Sequence, residues 1–241
     1  YHLVVARHSD DELSNATMLP KILREHSVDG LLIDYTHQIP HALIYFLEQY
    51  RLPVIWLNVK RKYDCVYHDD FGAAKQATEW LLARGRRRVL YVDWSVSYDE
   101  LATAHYSHLD REAGYRKAME EASLVPSVVR ATTCMPPGER LAAARKYLTS
   151  DPPPDGVVGY SEASVGPFML TALSLGWDVP AQLEGATFEN MPLTMGGLPL
   201  NTFVLDQYQF GVAAVKALIE KMATPDRPLR PVVVPVTPPR A

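Results

Sequence analysis

Cysteine is scarce in this sequence: there are only Cys65 and Cys134, far apart along the chain. Two distant thiols make no disulfide framework, and a reduced, cytoplasmic setting is expected. Positive charge is not in excess either, because 24 Lys and Arg against 28 Asp and Glu give a net charge of −4. A chain without a basic footprint is not expected to hold DNA or RNA by itself. No apolar run reaches the roughly 20 residues of a membrane span, and the opening YHLVVARHSDDE does not read as a signal peptide.

Histidine is missing from the whole second half: all eight lie at or before His108. That count rules out a hydrolase reading of Gly159-Tyr160-Ser161-Glu162-Ala163, a near miss to the G-x-S-x-G elbow. Such enzymes place their histidine after the serine. Metal-ligand spacing is also lacking. His105, His108 and Asp110 have a helical look but gain no further ligand, Pro40 separates His37 from His41, and no C-x-x-C occurs. Neither G-x-x-x-x-G-K-[ST] nor G-x-G-x-x-G is present. No metal, no nucleotide cofactor and no enzyme activity are therefore expected.

What is present is alternation. The 241 residues are 47% apolar and 22% charged, enough for one large α/β domain or two ordinary lobes. Short apolar runs of strand type occur at His2–Ala6, Gly30–Ile33, Pro53–Leu57, Cys65–Tyr67, Val89–Val92, Val128–Arg130, Gly156–Gly159, Gly185–Phe188, Thr202–Val204 and Val232–Val234. Helical periodicity separates them at 13–26, 40–50, 106–123, 137–149, 163–175 and 207–223. The stretch from Asp69 to Trp94 shows the unit most clearly. Asp69 and Asp70 are suited to cap a helix, Ala73, Ala74, Ala77, Thr78, Leu81 and Leu82 give it one apolar face, and Gly85 suits its end. The run Arg84, Arg86, Arg87, Arg88 reads as a solvated helix end. Repeated βα units predict an α/β fold of parallel sheets flanked by helices, with too many strands for one sheet and hence two lobes. Ligands of such folds sit off the strands' carboxyl ends. Asp69, Trp94, Ser161 and Glu189 all fall there.

Four segments carry a resemblance: YHDDFGAAKQATEWLLARGRRRVLYV, DREAGYRKAM, PDGVVGYSEASVGPFMLTALSLGWDVPAQLEGATFEN and NTFVLDQYQFG. In this order and spacing they resemble the effector-binding region of the LacI/GalR family of transcriptional regulators. The resemblance implies a two-lobed periplasmic-binding-protein-like fold whose lobes exchange chain near Gly85–Val89, Val204–Gln207 and Arg227–Pro231. The expected lobes are 1–86 with 206–228, and 87–205 with 229–241. It further implies a homodimer that binds a small effector, a sugar or sugar derivative, between the lobes. DNA would be read by a helix-turn-helix upstream of this chain, and the family's first strand and first helix have no counterpart here. A solute-binding protein of a sugar transporter shares the fold and is the alternative.

Position by position, the resemblance makes Asp69 an effector-contacting aspartate and Arg111 the arginine that opens an R-x-x-G-aromatic motif with Gly114 and Tyr115. Ser107, one turn earlier, takes the place of a small polar contact. Ser161 and Glu162 stand where Asn-Asp is usual, Glu189 and Asn190 where Asp-Asp is usual, and Leu205 where a polar contact can stand. The residue types suit a polyol: carboxylates only accept, a guanidinium only donates, and adjacent hydroxyls do both. Trp94, Tyr98 and Phe188 are candidates to cover an apolar ring face. Read for structure alone, Asp69 and Arg111 would cap their own helices, and Trp94 and Phe188 would pack in a core.

Overall fold

The computed structural model describes residues 2–15, 28–35, 38–131, 135–195 and 197–239. These form two units, Tyr1–Tyr67 with Tyr208–Val234, and His68–Gln207 with Pro235–Ala241.

The first unit is built on strands β1 (Leu31–Asp34), β2 (Val54–Leu57), β3 (Cys65–His68) and β11 (Val232–Val234), ordered β1-β2-β3-β11. β1 and β3 both run parallel to β2. Successive side chains of a strand face opposite sides, so a strand covered on both faces must be apolar throughout. β2 obeys this: Val54 and Trp56 pack with Leu43, Phe46 and Leu47 of the His41–Gln49 helix. Ile55 turns the other way, onto Ala214 and Ala217 of the Gln207–Ala223 helix.

The second unit holds strands β4 (Val89–Asp93), β5 (Ser127–Arg130), β6 (Gly156–Gly159), β7 (Glu184–Glu189) and β10 (Asn201–Val204), all parallel in the order β10-β7-β6-β4-β5. Parity again assigns each residue to a layer. Val89 and Tyr91 share a core with Val158, Ala186 and Phe188, against Ala73, Ala74, Ala77 and Leu81 of the Asp70–Ala83 helix and Tyr115 and Met119 of the Ser107–Glu121 helix. Leu90, Val92 and Trp94 face the opposite layer, with Val157, Ala144 and Leu148 of the Pro137–Leu148 helix and Val165, Phe168 and Met169 of the Glu162–Ser174 helix. The Asp70–Ala83 helix thus belongs to the second unit, whereas the expected lobe boundary left it in the first. Its alanine face is small enough to lie close to the Ser107–Glu121 helix.

Several expectations need correction. His2–Ala6 forms no strand, and Leu3 and Val5 are 84% and 86% exposed. Strand-forming side chains do not make a strand unless a neighbouring ladder takes their N–H and C=O groups. The chain instead starts a short helix at Asp10–Ser14, where Ser9 and Glu12 cap each other. Most of the expected 13–26 helix lies outside the described residues, as do Cys134 and His37; Cys65 is a buried free thiol. The arginine run is not simply solvated. Arg84 and Arg86 both reach Glu184 at the start of β7, and Arg88 reaches Asp155 just before β6. The sequence reading also missed a small antiparallel pair, β8 (Thr194–Met195) with β9 (Leu198–Pro199), turned by Gly197 at φ +86°.

Candidate functional site

The carboxyl ends of the second unit's strands meet at Arg111. This residue lies on the second turn of the Ser107–Glu121 helix and is only 6% exposed. Its Nε donates to Asp70 Oδ1 at 2.6 Å and its Nη1 to the Tyr160 carbonyl at 2.6 Å. The guanidinium carbon lies 4.6 Å from the Tyr160 ring centre and 4.7 Å from that of Phe188. Tyr160 and Phe188 follow from strand parity: Tyr160 shares its side of the sheet with Val158, and Phe188 with Ala186. A guanidinium between two rings is weakly hydrated and well placed for cation–π attraction, about 2 kcal/mol in a desolvated setting. Its remaining nitrogen, Nη2, donates to none of the described residues. Burial opposes the charged form of Arg111, but the Asp70 carboxylate reverses the balance, and its pKa moves up.

Behind Arg111 the polar groups are closely bonded. Ser107 Oγ is 2.8 Å from the Tyr160 hydroxyl and 2.7 Å from His105 Nδ1. Burial pushes the Tyr160 hydroxyl's pKa upward, against the pull of Arg111 and the Ser107 bond. Tyr106 is also pushed up, first by burial and then by Asp70. Two residues of the R-x-x-G-aromatic motif serve the scaffold. Gly114 lets the two helices cross closely, since a Cβ there would collide with the Phe71 carbonyl oxygen. Tyr115 donates to the Val89 carbonyl at 2.7 Å and accepts from Ser127 N–H at 2.8 Å, binding the helix to β4 and β5.

The six expected site residues separate into groups. Arg111 and Ser107 join one cluster through Tyr160. Asp69 caps the Asp70–Ala83 helix by accepting from Gly72 N–H at 2.9 Å, while its neighbour Asp70, 2% exposed, pairs with Arg111. Ser161 is the N-cap residue of the Glu162–Ser174 helix but makes no side-chain capping bond. That bond comes from Glu189, whose Oε1 accepts from Glu162 N–H at 2.9 Å. Arg111 therefore touches the chain neighbour of three expected residues: Asp70 beside Asp69, Tyr160 beside Ser161, and Phe188 beside Glu189. Trp94 is not in the cluster. It is 1% exposed and stacks on Phe168, ring centres 5.6 Å apart, in the opposite layer of the sheet. Of the aromatic candidates, Phe188 lies against the guanidinium, and exposed Tyr98 lies over Arg130 at 5.7 Å. Sequence reasoning missed Asp70 and Tyr160. The signal for Tyr160 was its parity with Val158 at a strand's carboxyl end. The cavities of about 640, 670 and 370 Å³ in the first unit are lined by none of these residues.

A parallel sheet with helices on both faces, whose polar side chains gather at the strands' carboxyl ends, is the α/β architecture in which ligands, where bound, sit at those ends. The sequence matches the family described as a periplasmic binding protein-like domain over residues 78–240. The chain belongs to that family. It is similar to a ribose operon repressor of Halalkalibacterium halodurans, 23% identical over 92% of this chain and 64% of that protein. It also resembles the HTH-type transcriptional regulator GntR of Pseudomonas aeruginosa, 29% identical over 54% of this chain and 36% of that protein. The chain thus spans less than two thirds of either relative. Among solved structures, a regulatory protein of LacI family from Chloroflexus aggregans superposes with a TM-score of 0.78 at 19% identity, covering 96% of this chain and 82% of the other. That likeness speaks for the fold.

Proposed function

We propose that this chain is the effector-sensing part of a LacI-type transcriptional regulator. It would take a small molecule, a sugar or sugar derivative, at the strand ends around Arg111 and so alter DNA binding by a helix-turn-helix outside this chain. On this reading the regulator works in the cytoplasm as a homodimer. The observation that carries the proposal is the state of Arg111: buried, neutralised by Asp70, held between two rings, and left with Nη2 as a donor. A donor fixed in this way suits an uncharged hydroxyl, since its orientation costs nothing further on binding. Asp69, Ser161 and Glu189 lie next in sequence to the residues that hold Arg111 and would supply acceptors. Ser107 would act through Tyr160. Trp94 would support the site from the core.

A thermal-shift screen over sugars, sugar phosphates, uronic acids and nucleosides tests this reading, because a ligand bound only by the folded state raises Tm. Calorimetry on the best ligand should show Arg111→Ala binding at least about ten-fold more weakly, as expected for a lost hydrogen bond to a charged group. A screen that leaves Tm unmoved for every class, or an Arg111→Ala variant with the wild-type Kd, would overturn it.

A further inference from the structure

Arg111 is the front of a longer stack. The imidazole of His108 also stacks on Tyr160, ring centres 4.0 Å apart and planes within 11°. Tyr160 therefore touches both His108 and Arg111, and Arg111 also touches Phe188. The back of this stack is anchored by Asp93, the last residue of β4 and fully buried. Asp93 Oδ2 accepts from His108 Nδ1 at 2.7 Å and from Arg130 Nη1 at 2.7 Å. Its Oδ1 accepts from the Ser95 N–H at 3.1 Å and from the Ser95 hydroxyl at 2.6 Å. Arg130 continues through Nη2 to Glu112 Oε2 at 2.7 Å, and Glu112 Oε1 accepts from Arg116 at 2.8 Å.

Burying a carboxylate at the end of an otherwise apolar strand is costly unless its partners are complete. An apolar residue at 93 would continue β4 without that demand, so the carboxylate calls for a reason. An ionised Asp93 only accepts, so His108 must carry its proton on Nδ1. That bond fixes the plane of the imidazole, and the imidazole plane fixes the tilt of Tyr160. Ser107 holds the far end of the same ring through the Tyr160 hydroxyl, at 2.8 Å. We propose that Asp93 and His108 are positioning residues of the effector site, acting through Tyr160 to hold the free edge of Arg111 in place. The proposal rests on the reading that Arg111 meets the effector.

A ligand-free measurement decides it first. Hydrogen exchange of the Arg111 Nε–H, bonded to Asp70, is followed by NMR, with the Arg86 Nε–H, bonded to Glu184, as a control in the same unit. His108→Ala should speed exchange at Arg111 at least ten-fold and leave Arg86 within two-fold. His108→Phe, which keeps a ring against Tyr160 but cannot donate to Asp93, should restore the Arg111 rate only in part. A full return to the wild-type rate would remove Asp93 from the positioning role. Equal changes at both arginines, or none at Arg111, overturn the proposal, since a general loss of stability would move both. Binding of D-ribose by calorimetry is the second arm. His108→Ala should weaken it about ten-fold and His108→Phe less than three-fold; a His108→Ala variant with the wild-type Kd overturns the positioning role. If wild-type protein binds neither D-ribose nor any other sugar while the exchange result holds, the effector reading fails and the positioning of Arg111 stands.

Discussion

Arg111 pairs with Asp70 rather than with Asp69, at 2.6 Å between two buried side chains 41 residues apart. The two aspartates divide the work that the sequence left joined. The first accepts from the opening turn of its helix, and the second neutralises a guanidinium on the next helix.

Removal of each aspartate should therefore read differently. Asp70→Ala leaves a buried cation without its partner and should cost about 3–5 kcal/mol. Asp69→Ala loses only a helix cap and should cost about 1 kcal/mol. Urea denaturation of the two variants measures both; equal losses would contradict the division.

Gly114→Ala should be among the most damaging small changes in the chain. The added methyl meets the Phe71 carbonyl and lies 3.0 Å from the Lys75 nitrogen, both backbone atoms that cannot turn aside. The two helices must part, at a cost of about 3 kcal/mol, the upper end for overpacking. An unchanged urea midpoint would show that the helices separate freely.

Asp93 should make stability depend on acid. Burial by itself would raise its pKa, but hydrogen bonds from His108 and Ser95 outweigh burial and hold it below the ordinary 3.8. A depressed folded pKa contributes stability that is present above 3.8 and lost as pH falls through the lower folded value. Urea midpoints from pH 6 down to about pH 2 should therefore fall more steeply for wild type than for Asp93→Asn. Parallel curves would remove Asp93 from the acid response.

Glu189 separates capping from recognition. Glu189→Gln keeps an acceptor for the Glu162 N–H and gives up only the charge at the helix start, about 0.3–1 kcal/mol. If the second carboxylate oxygen accepts from an effector hydroxyl, affinity should fall several-fold while Tm moves little. Calorimetry beside a melting curve distinguishes this from a stability effect alone, in which Tm falls and Kd holds.

The alternation of strand and helix from Gly30 to Val234 was legible because it depends on local order: apolar runs of strand length, helical periodicity, Asp69 before a helix and Gly85 after it. The carboxyl ends of the strands, and hence the neighbourhood of Arg111, followed from that order. Partners distant in sequence did not. Whether Trp94 faced a ligand or a core depended on which helices cover each face of β4, and parity can assign the layer only once those helices are placed. Asp93 with Arg130, Arg111 with Asp70, and Arg86 with Glu184 are long-range pairs in which either residue alone reads as an ordinary surface charge. His2–Ala6 shows the converse case. Its side chains have strand propensity, but a strand exists only where a neighbour completes its hydrogen bonds, and that is a property of the tertiary structure.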